Sequence, residues 1–302
     1  MLANPRFASA RTARLAGVAG ALCLLLAGLA ARAADAPATG RFYEVRGAKL
    51  YVERFGRGAP IVFLHGGMTF FDNTFAKQRD YFAADHTVIG IDQRGHGHSP
   101  DGPWELSYQM MADDTAAVIT ALGLGPADVV GISDGADIAL LLARDHPELV
   151  RRLVASGANL RSGLAADERE RRSHWTDEQW AAKVAKVADA LPAWFQADYA
   201  RVSPDGADHY LAMLGRCYRL WSQPVVIEPA DLKKIEAPAL VMAGDHDFAS
   251  IEDNAEIFRG LAHGALLILP ATHHGTFSER PELVNLAVRE FLEAPSPTGA
   301  AH

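Results

Sequence analysis

The sequence contains little cysteine and no excess of positive charge. Cys23 and Cys217 are its only cysteines in 302 residues, and acidic residues outnumber Lys and Arg by 37 to 29. The resulting net charge of −8 repels nucleic acid and anionic lipid, so we expect neither as a partner. Because no disulfide network is available, a hydrophobic core must hold the chain together, and the chain is long enough to bury a large one.

Long apolar runs are also scarce, and the longest lies near the N-terminus. Leu15–Ala30 is apolar over 16 residues and follows a basic start. A membrane-spanning anchor, the alternative interpretation, needs about 20 such residues. Ala31–Ala33 then places small residues at the two positions that a signal peptidase reads. We therefore predict a signal peptide over residues 1–33, a periplasmic or secreted location, and no stable membrane anchor.

Cleavage near Ala34 would change the charge and the cysteine content of the chain. Residues 1–33 contain four arginines and no acidic residue, so the net charge of the mature chain becomes about −12. Cys23 is removed with the segment, which leaves Cys217 alone and makes an internal disulfide impossible.

Short apolar runs rich in β-branched residues recur from residue 60 onward. Such runs are typical of strands covered on both faces, as in a parallel sheet. Helical patterns separate several of them, and an alternating stretch around Gly47 indicates a hairpin in front of them. We predict an α/β fold with a mostly parallel central sheet flanked by helices. The six runs are PIVFLHG (60–66), HTVIGID (86–92), ADVVGIS (127–133), LVRRLVASG (149–157), PALVMAGD (238–245) and ALLILP (265–270).

One segment interrupts this alternation. Residues 158–225 have no strand-like run and carry four of the five tryptophans. Thr176 and Gln179 form the pattern of a capping box, which begins a helix. We predict a helical cap over 158–225, inserted after the sixth strand (the hairpin strands counted as the first two) and dividing the core into 34–157 and 226–293, with a flexible tail over 294–302. The aromatic residues either pack the insertion onto the core or together wall a pocket.

The stretch GISDG, residues 131–135, follows one of the apolar runs and opens a helical pattern. It fits G-x-S-x-G, which places a serine on a sharp turn between a strand and a helix. Side chains at Gly131 and Gly135 would collide with the neighbouring strand and helix, and the helix N-terminus directs free N–H groups toward developing negative charge. Ser133 is therefore a candidate nucleophile rather than a serine in an ordinary turn.

A nucleophilic serine needs a base and an acid that orients the base. His273 and His274 lie between the last apolar run and the last helical pattern, and Asp245 and Asp247 follow the preceding run. The chain order is serine, acid, histidine, which neither common type of serine protease has.

These motifs resemble the α/β-hydrolase superfamily from about Phe42 to Leu292, in the branch with a helical cap. The elbow GISDGADIAL resembles the S-D-G elbow of valacyclovirase-like and related bacterial esterases. GDHD resembles the superfamily's G-x-x-D, which implies that Asp247 rather than Asp245 is the acid. PATHHG resembles its P-x-x-x-H, which implies that His274 rather than His273 is the base.

The resemblance also implies roles for two loops. FLHGG, residues 63–67, resembles the H-G-x turn, whose backbone N–H at Gly67 would form an oxyanion hole with the N–H of Asp134. His65 would stabilise that turn. DQRGHGHS, residues 92–99, resembles a loop that is mainly structural, so we expect no catalytic role for Asp92, His96 or His98.

We therefore expect a serine hydrolase that cleaves carboxylic esters of small or medium size, with Ser133, Asp247 and His274 as its triad and without a cofactor or metal. Carbon–carbon hydrolysis, lactone opening and perhydrolysis use the same triad, and a binding protein of low turnover is a further alternative. The oligomeric state stays open. The side chain of Asp134 either is solvated, bonds to local backbone, or contacts a cationic group of the substrate.

Overall fold

Eight strands form one sheet in the part of the chain that the computed structural model describes, residues 40–160, 166–223 and 227–295. The predicted signal peptide and most of the predicted tail lie outside these residues. The sheet order is β1-β2-β4-β3-β5-β6-β7-β8, and every pair from β4 to β8 is parallel. This confirms the predicted α/β-hydrolase fold class. The strands are Arg41–Val45, Ala48–Phe55, Ala59–Leu64, His86–Ile91, Ala127–Ile132, Val150–Ser156, Ala239–Gly244 and Gly264–Leu269 (β1–β8).

The two N-terminal strands form the predicted antiparallel hairpin. Val45 pairs with Ala48 across a turn of two residues, Arg46 and Gly47, which have φ angles of +47° and +76°. Positive φ at both central positions matches the right-handed twist of the strands, so this turn closes the hairpin without splaying it.

Ten α-helices are described, and those outside the β6–β7 connection cover both faces of the sheet. One face packs against α1, α9 and α10, and the other packs against α2, α3 and α8. The central strands are therefore buried on both sides, which explains their continuous apolar sequences. The helices are Phe71–Phe82, Tyr108–Ala121, Asp134–Asp145, Ala166–Ser173, Asp177–Ala190, Trp194–Val202, Tyr210–Leu220, Ile251–Gly260, Thr276–Glu279 and Pro281–Glu293 (α1–α10).

The strand β8 differs from the sequence prediction. Its apolar run predicted a strand covered on both faces, but β8 lies at the edge of the sheet and most of its residues are half-exposed. Leu266 keeps 36% of its surface accessible. An edge strand has a neighbour on one side only, and sequence composition does not report this position.

Four helices, α4 to α7, connect β6 with β7 within the predicted insertion. The helix α5 begins at the predicted capping box, where Oγ1 of Thr176 accepts the N–H of Gln179 and the Gln179 side chain accepts the N–H of Thr176. Trp180 and Val184 are its buried residues. The exact domain boundaries stay predictions. No helix in the described ranges has both the length and the apolar character to cross a membrane.

Candidate active site

Ser133 occupies the turn between β5 and α3. Its φ is +55° and its ψ is −125°. Residues other than glycine rarely adopt this backbone conformation, and where they do it is often at a strained turn in a functional site. A Cβ at Gly131 would lie 2.1 Å from the carbonyl oxygen of Gly135, and one at Gly135 would lie 1.9 Å from the carbonyl oxygen of Leu64. Both glycines are thus required for the close approach of β5, α3 and β3, as predicted.

Ser133 lines a cavity of about 270 Å³ at the carboxyl edge of the sheet. Its walls come from the turn after β3, the start of α1, the loop before α9 and the start of α6. Among the described residues, His274 is the only ionisable side chain in these walls, and no Lys, Arg, Asp or Glu lines the cavity. The lining residues are Gly66, Gly67, Thr69, Asn73, Thr74, Ile132, Ser133, Trp194, Phe195, His274, Gly275, Phe277 and Ser278.

His274 and Asp247 form a pair beside Ser133. Nδ1 of His274 lies 2.7 Å from Oδ1 of Asp247, whose side chain is fully buried. The same carboxylate oxygen accepts the N–H of Ala249 at 2.9 Å. Nε2 of His274 is buried without a hydrogen-bond partner among the described residues. The pair therefore leaves a ring nitrogen available within the cavity that Ser133 lines.

The backbone brings this pair close to β6. Gly157 follows β6 with a φ of +61°, and a Cβ there would lie 2.8 Å from Cε1 of His274 and 3.1 Å from Oδ2 of Asp247. A larger residue at this position would push the imidazole out of place. Gly157 is a site residue that the sequence motifs do not reveal.

The neighbouring residues His273 and Asp245 point elsewhere. The His273 side chain is 72% exposed and contacts Glu279. Asp245 accepts the N–H of Thr272 at 3.0 Å, and this backbone hydrogen bond lowers the pKa of its carboxyl. Of the two histidines and of the two aspartates, the residue that the motif selects is the one in the His274–Asp247 contact.

The predicted oxyanion-hole donors belong to the turn after β3 and to the first residue of α3. Gly67 lines the cavity. Asp134 is the first residue of its helix, where a backbone N–H has no intrahelical acceptor. Ser133, the Asp247–His274 pair and both backbone positions thus come from four loops at one edge of the sheet.

Comparison with known proteins is consistent with this arrangement. The sequence pattern of a family described as alpha/beta hydrolase fold matches residues 59–207. The AB hydrolase superfamily protein YisY of Bacillus subtilis is 30% identical over 257 residues, 80% of this chain and 94% of the relative. The chain belongs to the α/β-hydrolase superfamily. It is accordingly an enzyme of the hydrolase type.

Two further proteins similar to this hydrolase have names that state an activity. The (E)-2-((N-methylformamido)methylene)succinate hydrolase of Acinetobacter baylyi is 27% identical over 79% of this chain and 92% of its own length. The solved structure of Est816, an N-acyl homoserine lactone degrading enzyme, is 27% identical with a TM-score of 0.64, and the match covers 83% of this chain and 99% of Est816.

Histidines near the site of the hydrolase support loops, as the sequence predicted. His65 is buried, with Nδ1 2.8 Å from the carbonyl oxygen of Gly66, and its Nε2 accepts the N–H of Gln93 at 2.9 Å. Burial lowers the pKa of His65 to about 4, so its ring is neutral at pH 7. Asp92 accepts hydrogen bonds from the backbone of Phe71 and His98, which holds the loop after β4 against α1.

The side chain of Asp134 is neither solvated nor bonded to local backbone. It is 6% exposed, and it accepts hydrogen bonds from Tyr108 and Trp221, residues that are 26 and 87 positions away in sequence. These contacts depend on the fold, so the local sequence could not indicate them. Burial raises the pKa of the Asp134 carboxyl, and the hydrogen bonds from Trp221 and Tyr108 oppose that rise.

The tryptophans of the insertion divide into two groups. Trp194 lines the cavity, and Trp221 packs against Gly67. Trp175 and Trp180 pack against each other, with ring centroids 5.0 Å apart, and do not line the cavity. The prediction of an aromatic wall therefore holds for part of the insertion.

Aromatic residues that the sequence motifs missed complete the site. Phe248 is 74% exposed, and its ring lies 4.0 Å from that of His274. Phe195 and Phe277 line the cavity. Of these three residues, only Phe248 could have been found from the sequence, because it directly follows the predicted acid Asp247.

A larger cavity of about 1110 Å³ lies between Trp104–Leu106 and the insertion. Neither Ser133 nor His274 lines it, and the described residues that line it include three arginines and three acidic residues. The chemistry described above belongs to the smaller cavity.

Proposed function

We propose that this α/β-hydrolase cleaves uncharged carboxylic esters of small or medium size through an acyl-enzyme on Ser133. The observation that carries the proposal is the shared cavity, which brings the elbow serine and the Asp247-paired His274 together. A serine nucleophile, a histidine base and a carboxylate that orients the base are the groups that catalyse nucleophilic acyl transfer.

The first half of the reaction forms the acyl-enzyme. Oγ of Ser133 attacks the ester carbonyl while Nε2 of His274 takes the hydroxyl proton. Asp247 holds Nδ1–H of the ring and stabilises the imidazolium. The carbonyl oxygen becomes an oxyanion that the backbone N–H groups of Gly67 and Asp134 stabilise. When the tetrahedral intermediate collapses, His274 returns the proton to the leaving alcohol.

Water completes the reaction. His274 takes a proton from the water that attacks the acyl carbonyl, and a second tetrahedral intermediate collapses to release the acid. The proton on His274 then returns to Oγ of Ser133, so the enzyme ends in its initial protonation state.

The cavity walls support an uncharged substrate. Apart from the general base His274, no basic side chain of the described residues lines the cavity, so a carboxylate on the substrate would lose its hydration without gaining a permanent counter-charge. The succinate-derived substrate of the Acinetobacter relative carries such groups, whereas simple esters do not. A cavity of about 270 Å³ lies at the small end of ligand pockets, which favours short acyl groups.

The test compares two matched esters, p-nitrophenyl butyrate and p-nitrophenyl hemisuccinate, which differ mainly by a terminal carboxylate. We expect kcat/KM to be at least about tenfold higher for the butyrate, because burying an unpaired charge is costly. Ser133→Ala and His274→Ala should each lower turnover by about 10⁴–10⁶-fold, and the double variant should be little worse, since the residues act as a unit.

The alternatives give different results in the same experiment. An active Ser133→Ala variant would overturn the mechanism. Stoichiometric labelling of Ser133 by a fluorophosphonate without ester turnover would indicate a binding protein, and faster turnover of lactones than of esters would reassign the substrate.

A further inference from the structure

The carboxylate of Asp134 holds a side chain of the insertion against the elbow. Oδ2 accepts the indole N–H of Trp221 at 2.9 Å, and Oδ1 accepts the hydroxyl of Tyr108 at 2.9 Å. Trp221 follows the last residue of α7, and Tyr108 is the first residue of α2. One buried carboxylate thus joins the elbow, a core helix and the insertion.

The indole of Trp221 in turn contacts the turn that carries Gly67. A Cβ at Gly67 would lie 2.5 Å from Cζ2 of Trp221 and 2.6 Å from Oδ2 of Asp134. The backbone of Gly67 therefore lies directly on the indole and the carboxylate. Because this packing leaves no room for a side chain, the position of the Gly67 backbone depends on where Trp221 is held.

We propose that the side chain of Asp134 is a positioning residue, which fixes the Gly67 turn through Trp221 and so sets the geometry of the oxyanion hole. The inference rests on the proposed function, because it assigns Gly67 to that hole. It gives the insertion a part in catalysis besides lining the cavity: its Trp221 supports the oxyanion turn from behind.

Electrostatics alone would give the opposite effect. A carboxylate next to the elbow repels the negative charge that develops on the substrate oxygen, so a purely electrostatic role would make Asp134→Asn faster. A direct contact with a cationic substrate group is also unfavourable, since both oxygens already accept hydrogen bonds and the side chain is buried. The positioning role predicts a slower variant on every ester.

The experiment measures kcat and KM for Asp134→Asn, Trp221→Phe and the double variant on p-nitrophenyl butyrate. The indole N–H of Trp221 reaches both oxygens of Asp134, at 2.9 Å and 3.1 Å. Asp134→Asn replaces one of these acceptors by an amide nitrogen that faces the indole donor, and Trp221→Phe removes the donor. We expect kcat to fall about 10–100-fold in each single variant with little change in KM, less than the roughly 10²–10³-fold loss on removing a donor outright. The double variant should lose no more than the worse single variant, since both changes break one connection.

Trp180→Phe is the matched control, because Trp180 is a buried tryptophan of the same insertion that packs on Trp175. We expect its kcat to equal that of the parent. If Trp221→Phe fails to fold, Tyr108→Phe removes only one hydroxyl from the carboxylate and should lower kcat in the same direction by a smaller factor.

The binding of a butyl boronic acid provides a second measurement, which a purely structural role of Asp134 would leave unchanged. The boronic acid bonds to Oγ of the serine and places an oxygen in the oxyanion hole, so its Kd should rise in parallel with the fall in kcat. Unchanged kcat, a faster Asp134→Asn, or additive losses in the double variant would overturn the inference. If the parent itself neither hydrolyses the ester nor binds the boronate, the proposed function fails instead.

Discussion

Two loops of the site each carry two like residues whose side chains differ in what they contact. His274 contacts buried Asp247, whereas His273 contacts Glu279 at the surface. Asp245 bonds to the backbone of Thr272. The spacing of the motifs and the observed contacts therefore select the same member of each pair.

We predict that kinetics will separate these neighbours. His274→Ala should lower kcat by about 10⁴-fold or more, because the general base is removed. His273→Ala should retain most of the activity of the parent. Likewise Asp247→Asn should be far slower than Asp245→Asn, since only the former leaves His274 without its orienting anion. Steady-state assays on one ester measure all four variants.

A reversed ranking in either pair would shift the assigned residue by one or two positions within its loop. Thermal unfolding of the same variants serves as the control, because Asp245 also ties its loop to the backbone of Thr272. A loss of activity that follows a loss of folding does not count as catalytic.

At the scale of elements, the elbow depends on how closely β3, β5 and α3 approach each other. Gly135 lies in the first turn of α3 against the carbonyl of Leu64, and Gly215 lies within α7. A Cβ at Gly215 would meet its nearest atom, Cγ2 of Val184, at 3.6 Å, which is an ordinary contact. The two helical glycines therefore differ in their surroundings.

Alanine at these two glycines should have opposite effects on stability. Gly135→Ala forces backbone apart and should lower the free energy of unfolding by about 3 kcal/mol or more, with loss of turnover. Gly215→Ala should raise it by about 0.5–1 kcal/mol, because alanine favours the helix. Urea unfolding measures both, and equal effects would show that the close packing at the elbow can relax.

At the scale of the whole molecule, a buried neutral histidine makes stability depend on pH. The pKa of His65 is lowered from 6.5 to about 4, chiefly by burial. Below pH 6.5 the unfolded chain takes up a proton that the native protein does not take up until about pH 4. The contribution of His65 to the free energy of unfolding is therefore fully present above pH 6.5 and is lost as the pH falls toward 4.

We predict that His65→Gln will flatten this dependence. Because of His65, the free energy of unfolding of the parent should fall by about 2 kcal/mol between pH 7 and pH 5. The variant should be less stable at pH 7 but should lose about 2 kcal/mol less over the same interval, since glutamine does not titrate. Urea unfolding at both pH values tests this, and the same loss in both proteins would contradict it.

The sequence by itself determined the fold class and the order of the reactive residues. Alternating apolar runs and helical patterns predicted the parallel sheet, because burial on both faces demands continuous apolar strands. The motifs around Ser133, Asp247 and His274 predicted a triad because they follow three strand ends at one edge of such a sheet. Export by a signal peptide stays a prediction, since residues 1–33 lie outside the described part of the chain.

Only the tertiary structure decided what surrounds those residues. It placed β8 at the exposed edge of the sheet. It also brought together segments far apart in the chain: Gly157 contacts His274, and the indole N–H of Trp221 donates to Asp134. The local sequence of Asp134 permitted a solvated or a locally bonded carboxylate, and the packing of α2 and α7 gave it two donors instead. Local sequence fixes which groups a segment offers, whereas long-range packing decides which groups meet, because each partner is brought by a different element.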